Sequence, residues 1–198
     1  MIDTPDKENA MLFARVDLPA NLSDADMPAL ITADWIIGGS DGLSNRIVNR
    51  LRQKEGLSYG SGSNITLPSF GNRAKWSVGA IVAPQNLAQA EKSLKDELAR
   101  AYRDGITEAE LAEAKRGIIG SRAVNRAQDG MVASNWVNNL ETGRTWQFSK
   151  ETEAAIEALT VEDVNKALRR FCDVSKLTFA LAGDLAKAKA AGKDFTQP

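Results

Sequence analysis

GGSDGLSNRIVNRLRQKEGLSYG, residues 38–60, reads as a short helix that carries two basic faces, stops at a glycine and hands the chain to a strand. Ser44 is suited to the N-cap, and Ile47, Val48 and Leu51 supply an apolar stripe at helical spacing. Gly56 can adopt the left-handed conformation that ends a helix, which puts Arg52 in the last turn. Leu57, Ser58, Tyr59, Gly60, Ser61 and Gly62 follow, small and extended, so Tyr59 is expected near the start of a strand beside that helix end. Arg52 and Tyr59 then become candidate neighbours, two donors able to hold the carbonyls of an extended peptide. The residues alone admit a plainer account as well. An arginine in a last turn complements the helix dipole, and a tyrosine opening a strand packs half-buried.

Upstream, Leu12, Ala14, Val16 and Leu18 alternate on one face of a strand over residues 11–18. Residues 27–37 form a helix entered through Pro28 and ended by Gly38 and Gly39, with Ser40, Asp41 and Gly42 as the loop onward. Downstream, residues 59–68 and 75–82 pair as a hairpin around Ser69, Phe70, Gly71 and Asn72. A helix starts near Pro84 and Asn86, places Leu87, Leu94, Leu98 and Ala101 inward, and ends at Gly105. Thr107 and Glu110 form a capping box for the next, whose Leu111, Ala114 and Ile118 face inward.

Residues 128–146 read as helix with a break near Gly130 and a turn at Gly143, and Trp136 and Trp146 are expected in the core. Two more helices cover residues 151–159 and the stretch capped by Thr160, with Val161, Val164, Leu168 and Phe171 as the stripe of the second. Leu177, Phe179 and Leu181 form a last strand ending at Gly183 and Asp184. The pattern is α+β: a sheet of about four to six strands, mainly antiparallel, with helices packed mostly on one face. One domain spans residues 1–185, and residues 186–198 are a weakly structured tail.

The 198 residues carry 25 Lys and Arg against 26 Asp and Glu, a formal charge of −1, which favours neither nucleic acid nor an anionic membrane. No stretch is long and apolar enough to span a bilayer. The start, MIDTPDKENA, lacks the apolar core of an export signal. There is no histidine, so neither Cys172 nor any serine has an imidazole base, and Cys172 reads as a small core residue. Glu108, Glu110 and Glu113 open a helix and complement its dipole as a solvated face.

The order GG, then S-x-R, then L-R-x-x-x-G-L-x-Y resembles the second, non-catalytic half of the inverzincin zinc peptidases: pitrilysin, insulin-degrading enzyme and the mitochondrial processing peptidase. PDKENAMLFARVDLP, then Asp24, Pro28, Ala29, Leu30 and ITADWIIGG, resemble the first strand and helix of that domain, and GITEAELAEAKRGI resembles a later helix. The catalytic half of such enzymes holds zinc with H-x-x-E-H, which this chain lacks. The resemblance therefore implies no catalytic residue and no cofactor here, with zinc expected on a catalytic domain supplied in cis or as a separate subunit. It implies that Arg52 and Tyr59 bind the backbone of peptide substrates across a chamber from that zinc, and that the chain is a fragment of a longer multi-domain protein. A structural or partner-binding scaffold is the alternative. The location is expected to be bacterial, periplasmic rather than cytoplasmic.

Overall fold

The alternating residues of the first strand and the hairpin become the centre of a five-stranded sheet in a computed structural model that describes residues 1–39 and 44–190. The strands are β1 (Ile2–Asp3), β2 (Ala10–Leu18), β3 (Ser58–Thr66), β4 (Ala74–Val82) and β5 (Thr178–Gly183). Their order is β1-β5-β2-β4-β3. Every neighbouring pair is antiparallel except β1 with β5, which run parallel through Ile2 opposite Ala182 and Asp3 opposite Gly183. β1 is an element that residues 2–3 gave no sign of.

Eight helices are present among the described residues: α1 (Met27–Ile37), α2, α3 (Leu87–Asp104), α4 (Glu108–Arg126), α5 (Asp129–Thr142), α6 (Trp146–Ala158), α7 (Val161–Phe171) and α8 (Leu185–Ala190). α2 is one α-helical turn, Arg46–Val48, running directly into a π-helical stretch, Asn49–Lys54. The expected loop of Ser40, Asp41 and Gly42, and residues 191–198 of the tail, lie outside the described residues.

The inner sheet face carries Leu12, Ala14, Trp76, Val78 and Val82, which pack with α1 and α3 in one core. α1 is buried on nearly all sides, from Met27 and Leu30 through Ala33 to Ile37. The outer face is left open, with Met11 and Phe13 of β2 partly in solvent. The expectation of helices gathered on one face of a mainly antiparallel sheet holds. α7 buries Val164, Leu168 and Phe171 of the stripe read from its spacing, together with Ala167, while Val161 at its first position is half-buried.

Two expectations fail in the helical layer. The break between α4 and α5 falls at Ala127 and Gln128 rather than at Gly130, which sits inside α5. Trp136 is not a core residue: it is 53% exposed, on a helix that buries none of its fourteen residues. The spacing of its apolar residues reveals a stripe but not whether a neighbour covers it.

Candidate functional site

α2 and the π-helical stretch after it are fixed to the body of the molecule through one arginine each. Arg46 forks onto Glu110, Nε to Oε1 at 2.6 Å and Nη2 to Oε2 at 2.7 Å, and also donates to the Gly105 carbonyl at 2.8 Å. Arg50 pairs with Glu55, whose other oxygen accepts from the Ser93 hydroxyl of α3 at 2.6 Å. Arg52 is exposed and, among the described residues, has no such partner. The N-cap is Asn45, not Ser44: its side-chain oxygen accepts from the Val48 amide at 2.9 Å, while the Ser44 hydroxyl donates to Glu113 at 2.7 Å. Asn serves this position as well as Ser, and Ser44 gains a carboxylate instead.

The π-helical winding closes each hydrogen-bonded ring with one residue more than an α-helix uses. It ends at Gly56, whose φ of 60° is the left-handed value expected there. The Leu57 amide reaches back to the Leu51 carbonyl at 2.8 Å, so the chain turns at once into β3. Arg52 is in the last turn and Tyr59 is the second residue of the strand, as read from the sequence.

Tyr59 is also where the ladder slips. Ser58 stands opposite Val82 and Gly60 opposite Ile81, leaving Tyr59 as the unpaired extra residue of a bulge. A bulge re-aims its side chain, and Tyr59 is 66% exposed with no side-chain hydrogen bond among the described residues. The next residue, Gly60, belongs to the floor of a shallow depression of about 300 Å³ on the open sheet face, shared with Met11, Phe13, Gly62, Gly79 and Ile81. Glycine opposite glycine at positions 62 and 79 is what leaves that space empty.

The glycine pair at the end of α1 sets where β3 lies. The Gly38 carbonyl accepts the Ser63 amide at 2.6 Å, and Gly39 bridges Ser63. A Cβ on Gly38 would lie 2.6 Å from that amide nitrogen, so the crossing requires glycine. Beneath it, buried Asp34 accepts from the Ser63 hydroxyl at 2.6 Å, the Trp76 indole at 2.9 Å and the Ile65 amide at 3.2 Å. Burial raises its pKa, against the pull of these three donors.

Glu110 is more than a solvated helix face. Partial burial works against its charge, but hydrogen bonds from Arg46 and from the Thr107 amide and hydroxyl, with the guanidinium charge, bring its pKa down to about 2. Cys172 is 2% exposed, and burial followed by the charge of Asp34 pushes its thiol up, so it is a core residue as its sequence context suggests. Among the described residues no three carboxylate or thiol groups converge on a point. With no histidine in the sequence, the two-imidazole zinc set has no counterpart in this chain.

The family profile described as the peptidase M16 inactive domain matches residues 2–118, which include α1, α2, Arg52 and Tyr59. No curated protein matches the chain in sequence. Its fold is similar to that of the peptidase M16 inactive domain from Pseudomonas fluorescens, with a TM-score of 0.81 at 24% identity over 92% of this chain and 42% of that one. The inactive peptidase domain of a candidate zinc protease from Bordetella parapertussis superposes with a TM-score of 0.72 at 19% identity, over 87% of this chain and 91% of the other. The periplasmic protease PqqL from Escherichia coli matches 91% of this chain and 20% of its own, at a TM-score of 0.70 and 16% identity. The chain thus spans less than half the length of two of these three. The fold agrees throughout, the profile extends over more than half of the residues, and the missing histidines fit the word inactive: this chain belongs to the peptidase M16 inactive-domain family.

Proposed function

We propose that the chain is the substrate-binding, non-catalytic wall of a zinc-dependent metalloendopeptidase, with Arg52 and Tyr59 gripping the peptide backbone. The zinc belongs to another domain, in cis or as a separate subunit, where it would supply the activated water of peptide hydrolysis. An inactive member of a peptidase family implies such a partner. The observation that carries the reading is the contrast within residues 46–54: Arg46 and Arg50 are committed to carboxylates, while Arg52 is left to solvent seven positions before a tyrosine lifted out of its ladder.

A guanidinium and a phenol can each donate to a carbonyl of an extended peptide. Where such a donor meets the oxygen that gains charge in the tetrahedral intermediate, it favours the transition state over the ground state. Peptide side chains on the sheet side would find the small-residue depression beside Gly60. The likeness to a periplasmic protease supports a periplasmic location.

The test is turnover by the chain joined to its zinc-bearing half. Loss of a charge-assisted hydrogen bond costs about 1.5–3 kcal/mol, so Arg52→Ala should lower kcat/KM by roughly 10- to 150-fold with the fold unchanged. Tyr59→Phe keeps the ring and removes only the hydroxyl, isolating the hydrogen bond. If both variants stay within about twofold of the unaltered enzyme in kcat/KM, the gripping role is wrong and a scaffold remains.

A further inference from the structure

α5 turns a row of amides onto a cleft of about 500 Å³ that it lines together with α4 and the start of α6. Asn135 and Asn139, one helical turn apart, are half-buried there, as is Asn125 of α4, with the more exposed Asn138 beside them. None of these four side chains hydrogen-bonds to the protein among the described residues. Each amide offers two donors and one acceptor. Asparagine is also among the weaker helix formers, and a helix surface that meets only water is better served by Lys, Glu, Gln or Arg. Residues 135–139 of α5 give up helix propensity at three positions to gather amides on the cleft, a local conflict of the kind that marks functional sites. The guanidinium groups around the cleft are already engaged. Arg122 and Arg126 share Glu153, and Arg144 donates to the Ser23 hydroxyl and lies over the Phe148 ring at 4.4 Å. Glu141 lines the cleft without an ion pair among the described residues, so an anion would meet an open carboxylate. Flat apolar surface comes from Phe70, 67% exposed in the turn between β3 and β4, and from Trp146, braced by Trp136 with ring centroids 6.1 Å apart.

We propose that this cleft is a saccharide-binding site that takes one or two uncharged sugar rings. Hydroxyls donate and accept, as the amides do, the C–H face of a ring packs on an aromatic side chain, and no ligand charge is needed. Aromatic walls with a few convergent polar groups, in a volume of about 300–1,000 Å³, are the usual make-up of a small-ligand site. The amides gather around one turn of α5 and the end of α4, which suits a compact ligand. An extended peptide instead presents its same-side groups in a line, about 6.6 Å apart. The cleft is at the far end of β3 from Tyr59, since the strand from Tyr59 to Thr66 alone covers about 23 Å. The proposal is therefore independent of the peptide grip.

The experiment is isothermal titration calorimetry of the chain with N,N′-diacetylchitobiose, maltose and lactose, beside the uncharged peptide N-acetyl-trialanine amide. At least one of the sugars should bind one-to-one. Each lost amide hydrogen bond weakens binding roughly 2- to 12-fold, so Asn135→Ala combined with Asn139→Ala should weaken it about tenfold or more. Alanine is the better helix former, so α5 keeps its helix in that variant. Asn125→Ala, on α4, should weaken binding too and keeps the test from depending on α5 alone. Asn64→Ala, exposed on β3 and outside the cleft, should leave it unchanged. Failure of all three sugars to bind overturns the proposal, and so does binding that survives the paired substitution. If the peptide binds in place of the sugars and is lost in the same variant, the cleft is a peptide site and the saccharide assignment is wrong.

Discussion

At the scale of single residues, Glu110 links the most distant parts of the site. It closes the capping box of α4 with Thr107 and takes both arms of Arg46, 64 positions earlier in the chain. Its depressed pKa means that its stabilising contribution is complete above the ordinary carboxylate value near 4.5 and is lost as pH falls through about 2. Glu110→Gln should lower unfolding stability by about 1–3 kcal/mol at neutral pH, measured by denaturant titration. The gap between variant and native protein should close below pH 4.5, and a gap independent of pH would contradict the assignment. Asp34 acts with the opposite sign: its raised pKa makes its contribution fade as pH rises from 3.8. The capping box was legible because it lies within four residues. The pairing with Arg46 was not, because no local pattern records which carboxylate a distant guanidinium will meet.

At the scale of elements, the crossing of α1 over β3 depends on the absence of side chains. An alanine methyl at position 38 would press on the Ser63 amide and on the Ile47 side chain 2.7 Å away, and a backbone atom in a ladder cannot step aside. Gly38→Ala should cost about 1–3 kcal/mol in thermal or chemical unfolding. Gly60→Ala, with nothing within 4 Å of the added carbon, is the matched control and should be near neutral. The hairpin, the Gly56 stop and the Thr160 cap are each visible in the sequence, since each is local chemistry, and the structure adds Asp163 as the partner that completes the capping box. β1 was not, being two exposed residues held by a strand some 180 positions away. Trp136 was misread because a helix of period 3.6 has an apolar side whether or not anything covers it.

At the scale of the whole molecule, the sheet and helices bring together no cluster of metal-ligating groups among the described residues. Two imidazoles cannot come from a sequence without histidine, and the one thiol is sealed in the core. The purified chain, dialysed and analysed for metal, should hold far less than one zinc per molecule and cleave no unfolded peptide. Stoichiometric zinc with chelator-sensitive cleavage would overturn its place in the pair. The fold resemblance was legible over nearly the full length because motif order constrains it. Of the proposed site, the sequence points only to Arg52 and Tyr59, since the depression is made by residues brought together from three separate strands.

The π-helical stretch and the bulge have a joint consequence for how the interval between Arg52 and Tyr59 is counted. Each lies at a point where the backbone holds one residue beyond what its element needs, one in the wide turn and one in the slipped ladder. Seven positions therefore span a path that regular geometry would cross in about five. Any comparison with relatives that reads this interval as fixed helix plus fixed strand will misplace one of the two side chains. The relative aim of Arg52 and Tyr59 is encoded as much in chain length as in residue identity, and a gap in an alignment there is a change of aim.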